Sequence, residues 1–291
     1  MSVNINPEEM AASVQEEIRA FVRSSPINRM PDSNDDFIFD EPLVQFADGD
    51  DPIFSEYKDI IDSSHLTPRE ALSKTCEKSP ENLPAHLSVI SWVLPITGKT
   101  RESNRPQKDI PSRPWAYTRW YGEKFNEALR AHVVEIIKGR GYLATAPFLQ
   151  TYFKTMENEK GSLSNWSERH IAYAAGLGTF SLSDGFITER GIAHRCGSVV
   201  TDMPLPASPR TAETPYSNCL SYVNNECGDC ISRCPAGAIT EQGHDKVKCR
   251  KYMYDEIAYI KQEYGVDVQG CGLCQTKVPC EFRNPVEKSK V

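Results

Sequence analysis

The chain has 291 residues, 39% hydrophobic and 25% charged, with a formal net charge of −7. That balance suits one large α/β body plus a smaller module, and its overall field does not favour a nucleic-acid surface. No stretch approaches the roughly 20 apolar residues of a membrane span.

Met1 to Arg23 is acidic and amphipathic, without a basic n-region, an apolar h-region or a twin-arginine signal. It therefore reads as mature protein, and the cytoplasm is the expected compartment. Residues 10–23 place apolar and charged positions at helical spacing. Residues 24–57, rich in Asp, Pro and Asn, read as an irregular acidic stretch. Thr67-Pro68-Arg69-Glu70 has the form of a helix start, with Thr67 as N-cap and Glu70 closing a capping box.

Leu87 to Leu94 is a continuous apolar run and reads as a buried strand of a central sheet. Residues 96–114 carry charges, Gly and Pro and read as a surface loop. Tyr121 to Lys138 has the helical period, with Gly139 or Gly141 to end it. Asn165-Trp166-Ser167-Glu168 has the form of a second capping box, opening a short helix that stops at Gly176. Phe186 to Thr188 and Gly197 to Leu205 read as strands, and Ser181 to Gly185 as a loop. The expected regions are 1–84, helical and irregular; 85–210, an α/β core; and 211–291, a cysteine-rich module.

Ten cysteines in a reducing compartment need a role other than disulfides. Eight of them, Cys219, Cys227, Cys230, Cys234, Cys249, Cys271, Cys274 and Cys280, lie close together near the C-terminal end. Eight thiolates are what two cubane 4Fe–4S clusters require. Cys227-x2-Cys230-x3-Cys234-Pro235 is close to the ferredoxin run, whose fourth cysteine crosses to the other cluster. The position three before Cys227 is Asn224, so Cys219 is the substitute ligand. Crossing assigns Cys219, Cys227, Cys230 and Cys280 to one cluster, and Cys234, Cys249, Cys271 and Cys274 to the other. Two C-x2-C pairs also suit tetrahedral zinc. The Cys-Pro ending and the C-x2-C-x3-C run favour clusters.

In this order, with Glu168-Arg169, Ala175-Gly176-Leu177-Gly178, Gly197-Ser198 and Thr201-Asp202-Met203-Pro204-Leu205 ahead of the cysteines, the chain resembles the epoxyqueuosine reductases and the reductive dehalogenases. The resemblance runs over residues 85 to 284. It implies an α+β fold: a nitroreductase-like α/β core with a C-terminal ferredoxin-like module carrying two 4Fe–4S clusters. It also implies cobalamin between core and clusters, with Gly176, Leu177, Gly178, Thr179, Gly197, Ser198 and Thr201 as the places where backbone would approach the macrocycle.

Two features depart from the epoxyqueuosine reductases. Gly122-Glu123-Lys124-Phe125-Asn126 puts Lys124 where their proton-donating aspartate stands, with Glu123 one place off. The sequence ends at Val291, before their helical-repeat extension that helps recognise tRNA. Both argue against tRNA as substrate and for a divergent paralogue acting on another molecule. SLSDG at Ser181 to Gly185 replaces their usual Gly-Lys-Asn segment.

A reduction needs a proton donor beside the electrons, and Tyr117, Tyr121 and Lys124 are the candidates on the matching segment. Packing at a helix start is the plainer role for the tyrosines. Cys76, Cys196, His170 and His194 read as buried structural groups before they read as ligands or proton shuttles, and Asp202 as a turn cap. The functional expectation is an iron–sulfur oxidoreductase reducing a cobalamin or a small-molecule substrate in the core, fed by a ferredoxin or flavodoxin. The alternative is a non-catalytic electron-transfer protein that docks a partner.

Overall fold

A computed structural model describes residues 6–159, 161–267 and 270–286. In chain order its first elements are α1 (Pro7–Ser24), β1 (Arg29–Met30), β2 (Ser33–Phe37), β3 (Leu43–Asp48), α2 (Ile53–Ile60), α3 (Pro68–Cys76), β4 (Ser88–Pro95), α4 (Gly98–Asn104) and α5 (Arg113–Gly139). Then come β5 (Ala144–Thr145), β6 (Thr155–Asn158), β7 (Gly161–Ser164), α6 (Glu168–Ala174), β8 (Gly178–Phe180), β9 (Phe186–Thr188) and β10 (His194–Thr201). The C-terminal module adds α7 (Leu220–Asn224), α8 (Asp229–Ser232), β11 (Ile239–Thr240), β12 (Gly243–His244), α9 (Lys246–Lys251) and α10 (Ile260–Tyr264).

The main sheet has the order β3-β4-β10-β5, and every neighbouring pair in it is antiparallel. All eight positions of β4 are buried. The reason is that helices cover both faces of the sheet, so the alternation of a one-sided strand is lost. Ile90, Trp92 and Leu94 pack with Val14 and Ile18 of α1 and with Phe125, Leu129 and Val133 of α5. Val89 and Val93 pack on the other side with Phe54, Tyr57, Leu72, Ile171 and Ala172.

Several expectations hold. Thr67 caps α3 in a complete capping box. The helix at 10–23, the strand after Leu87 and the strand at Phe186 are all present. Others are corrected. The stretch 24–57 is not irregular: it supplies β3, the edge strand of the main sheet, as well as the β1–β2 ribbon and α2. Its polar composition hides a strand because β3 alternates, burying Val44 and Phe46 against the core while intervening positions stay wetter. The strand expected at Gly197 to Leu205 begins earlier, at His194, and ends at Thr201. Asn165 forms no capping box: its side chain accepts from the Lys154 amide and donates to the Tyr152 carbonyl, while Ser167 stands at the N-cap of α6.

The segment 96–114 is the largest correction. It holds α4 and the start of α5, whose N-cap Ser112 accepts from the Trp115 amide with Pro114 in the first turn. This segment seats the cysteine module. The Arg105 guanidinium is bonded to both oxygens of Glu281, which is 2% exposed. Asn104 Nδ2 donates to Thr276 Oγ1 at 3.1 Å, and Arg233 Nη1 to the Gln107 carbonyl at 2.7 Å. Tyr252 and Tyr264 hydroxyls donate to the carbonyls of Asp109 and Pro111. Polar groups that read as solvated in the sequence, Asn104 and Arg105 among them, bond across one interface.

Candidate functional site

The eight clustered cysteines fall into two sets in space. Cys219, Cys227, Cys230 and Cys280 line one small cavity, walled by Leu182, Ile187 and Val278. Cys234, Cys249, Cys271 and Cys274 line another, which opens toward α5 and β10. None of the ten cysteines is in a disulfide. Burial pushes the Cys230 thiol up to about 12, and the fields of Cys219 and Cys227 add to it. Burial likewise pushes Cys271 up to about 12, with Cys249 and Cys234 adding. Cys274 and Cys280 are raised further, again by burial and then by members of their own sets. Sets of four thiols in which burial and neighbouring cysteines oppose ionisation of several members are donor sets for an inorganic centre that would take up the thiolate charge. Among the described residues no three His, Cys, Asp or Glu side chains meet closely enough for a single metal ion. The thiolates of a cubane bind different irons and stand further apart than ligands of one ion.

The second set faces the core across a cavity of about 250 Å³. Its core-side wall comes from α5 (Trp115, Thr118, Arg119), from Arg169 on α6 and from His194 and Arg195 on β10. Behind this wall lies a buried ion network. Arg130, 1% exposed, bonds Glu123 at 2.9 Å and Glu168 at 3.1 Å. Burial works against the Glu123 charge, but Arg195 and Arg130 hold its carboxyl below the usual range. Burial pushes the Glu168 carboxyl up to about 6 despite Arg130 and the hydroxyl of Ser198, which donates to it at 2.6 Å. Burial pulls Arg195 down to about 10, and neighbouring Arg119 pulls the same way.

The proton-donor candidates lie elsewhere. Tyr117, Tyr121 and Lys124 form one stripe of α5, while Trp115, Thr118 and Arg119 form the stripe that faces the cysteines. Tyr117 is buried beside Asp32 in a separate acidic hollow, and its ring meets Tyr121 edge-on. Lys124 is exposed, its ammonium 4.1 Å from the Trp120 ring centre. None of the three is among the residues lining the cavity of the second set.

The seven residues expected around a corrinoid divide. Gly176, Leu177, Gly178 and Thr179 line an open cavity of about 770 Å³ beside Asn218 and Tyr222. Their glycines are explained by the chain itself: a Cβ on Gly176 would stand 2.5 Å from the Pro209 carbonyl oxygen, and one on Gly178 2.3 Å from that of Ile187. Gly197, Ser198 and Thr201 are core. Gly197 lies under the Trp92 indole, Ser198 bridges Trp166 and Glu168, and Thr201 donates to the Leu143 carbonyl. Gly176 to Thr179 thus lie on a cavity, whereas Gly197, Ser198 and Thr201 lie within the core, away from it.

His170 is held by Ser167 and packs on Phe180, and burial lowers it to about 3. His194 is kept neutral, lowered to about 4 by burial, with Nε2 on the Phe186 carbonyl at 2.6 Å. Burial pushes the Cys196 thiol up to about 12. Asp202 accepts from the Leu143 amide at 2.7 Å. Cys76 packs, half-buried, at the margin of the core on the α3 side. The residues missed from the sequence are Arg119, Arg195 and Arg130. Their signal was two glutamates, Glu123, one place off the donor position, and Glu168, read as part of a capping box.

No protein-family model matches the chain. It is 32% identical to an epoxyqueuosine reductase of Aliivibrio fischeri over 122 residues, which is 38% of this chain and 30% of that protein. A crystal structure of a selenomethionine-labelled epoxyqueuosine reductase superposes with a TM-score of 0.51 at 15% identity, covering 95% of this chain and 66% of the other. An epoxyqueuosine reductase solved with an epoxyqueuosine-modified tRNA-Tyr stem loop gives 0.50 at 17% identity and the same coverage. The chain thus spans less than a third of the curated relative and about two thirds of the solved neighbours. The similarity read from the motifs is supported, and the overall fold is that of these reductases. The expectation against tRNA is corrected to this extent: a protein of the same fold holds a tRNA stem loop. No helix among the described residues is long and apolar enough to cross a membrane.

Proposed function

We propose that the chain is an iron–sulfur reductase that meets its substrate where α5 and β10 face the second set of cysteines. Cys219, Cys227, Cys230 and Cys280 would hold one 4Fe–4S cluster, and Cys234, Cys249, Cys271 and Cys274 the other. When bound, such clusters supply single electrons at potentials tuned by burial and hydrogen bonds. The protein's own part is to keep water from the cavity, to orient the substrate against the cysteine wall and to provide charge. Trp115 closes the floor by lying flat on the backbone of Gly272, between two cysteines of the set. The carrying observation is the gathering of eight thiols into two sets of four, one of which opens onto a cavity in the core. Similarity to enzymes that reduce an epoxide on tRNA supports the reductive reading.

The electron donor is a small ferredoxin- or flavodoxin-type protein. The exposed Tyr216, Tyr222 and Val223 beside Cys219 support this, since they offer an apolar approach to the first set. The experiment is anaerobic purification with iron and sulfide analysis, then reduction followed by electron paramagnetic resonance. About eight irons and eight sulfides per chain are expected. The loaded protein is then assayed with epoxyqueuosine-containing tRNA and with cobalamin. A colourless, iron-free protein overturns the proposal.

A further inference from the structure

Arg233 stands between Cys230 and Cys234 in the chain, and its guanidinium reaches the loop that carries the second set. Nε donates to the carbonyls of Leu273 at 3.2 Å and Thr276 at 3.1 Å, on either side of Cys274. Nη1 donates to the Gln107 carbonyl at 2.7 Å, and Nη2 to the Asn104 carbonyl at 3.4 Å and to Thr276 Oγ1 at 3.5 Å. All of these acceptors are uncharged oxygens, and a guanidinium keeps its charge throughout. From the core, Arg119, Arg169 and Arg195 face the same set. Their acidic neighbours are shared out among cations. Glu123 serves Arg119, Arg195 and Arg130, of which Arg130 also serves Glu168. The Asp184 carboxylate faces Arg169, Lys246 and His244. The first set differs. Among the described residues, no charged side chain besides its cysteines lines its cavity. The cations next to Cys280, Arg101 and Arg105, both reach Glu281, at 4.0 and 2.9 Å.

Four thiolates leave each cluster with net negative charge, and reduction adds one more. A nearby cation favours the reduced state and raises the potential, whereas burial disfavours it. Burial is the first cause of the raised thiols in both sets, Cys230 and Cys280 in one, Cys271 and Cys274 in the other. It therefore opposes reduction of both clusters, while the unpaired cations act on one. Burial raises the Cys271 thiol, and Arg233 works against that rise. We infer that Arg233 and the arginine wall hold the second cluster at a higher midpoint potential than the first, so that electrons entering at the first set run downhill toward the core. The inference rests on the two-cluster reading above and gives it a direction. One electron leaves the first cluster, which is oxidised, and enters the second, which is reduced. The ferredoxin- or flavodoxin-type donor replaces it at the first. Arg233 is a positioning residue here, acting through the cluster and not on the substrate.

The test is a redox titration of the full chain, purified without oxygen and counted for iron, followed by electron paramagnetic resonance. Cys274→Ala and Cys280→Ala identify which signal belongs to which set. Two midpoints are expected, the higher one belonging to the signal that Cys274→Ala erases. Arg233→Gln removes the charge and keeps a donor. It should shift the distribution of one electron between the clusters about tenfold toward the first, which is about 59 mV for a one-electron couple. Arg233→Lys should restore part of that shift. Arg119→Gln removes a side chain whose ion pair is no closer than 3.8 Å, so it leaves the fold intact. It should give a smaller shift in the same direction, and it decides the matter where Arg233→Gln fails to load a cluster. The inference is overturned if the second midpoint of iron-replete protein lies at or below the first, or if fully loaded variants leave the second midpoint where it was. An arginine that only staples the cysteine loop to the core would give the latter outcome, with a lower melting temperature and an unchanged potential. An iron-free protein overturns the two-cluster reading and this inference with it, whereas a loaded protein with its potentials in the reverse order overturns the inference alone.

Discussion

The two sets of four cysteines are built from similar spacings and sit in opposite surroundings. The first is wrapped by Leu182, Ile187, Ile239 and Val278 and lies next to exposed Tyr216, Tyr222 and Val223. The other set faces the core across a wall of arginines backed by a buried ion network. Ligand spacing decides what can be held at a site, while the surroundings decide what it faces and which charge state is favoured there. An apolar wall near the surface suits contact with a partner, and a cationic wall suits the thiolate charge of the cysteines it faces.

The most severe way to break this comparison is to remove ligands. Cys280→Ala and Cys274→Ala should each lower iron from about eight to about four per chain, each erasing a different paramagnetic signal. Pairing Cys280→Ala with Cys219→Ala should leave about four irons, whereas Cys280→Ala with Cys274→Ala should leave almost none. Equal losses in both double variants would dissolve the partition.

Next in size is the network behind the arginine wall. Arg130→Met leaves Glu123 and Glu168 buried without their shared cation and should destabilise the fold by about 3–5 kcal/mol, read from urea unfolding. A change under about 1 kcal/mol would mean that the network is solvated.

The pH dependence gives a sharper reading of the same wall. His194 is neutral in the fold, its pKa lowered to about 4 from the ordinary 6.5. The unfolded chain therefore binds its proton first, so this stability is present above pH 6.5 and is lost as pH falls toward 4. The loss should be about 1.4 kcal/mol per pH unit within that window. Glu168, raised to about 6, acts in the opposite sense and costs stability as pH rises from 4.5 to 6. Comparing urea midpoints at about pH 5 and about pH 7 for the parent and for His194→Asn isolates the histidine, whose variant should show the flatter dependence.

The smallest effect concerns the floor of the cavity. Gly272 has a φ of +59°, and a Cβ there would stand 2.0 Å from Trp115 Nε1. Gly272→Ala should cost about 1–3 kcal/mol and lower the melting temperature, and Trp115→Ala in the same chain should recover part of the loss. No recovery would show that backbone strain, not the indole, sets the cost.

Much of this molecule was legible in its residues. Cysteine spacing, the apolar run of β4, the helical spacing of α1 and the cap of α3 are local signals, each carried by a few neighbours in the chain. What tertiary structure alone decided is the meaning of the small and charged residues. Gly176, Gly178 and Gly197 are marked for a cofactor only by the family resemblance, and in three dimensions their missing side chains also make room for Pro209, Ile187 and Trp92. Residues 96–114 read as solvated loop because Asn104, Arg105 and Gln107 find their partners across the interface with the cysteine module, far away in sequence. Arg119, Arg169 and Arg195 come from three elements distant in sequence, and nothing local marks them as neighbours. Charge balance is a sum over space, so a sequence shows its terms and only the fold performs the addition.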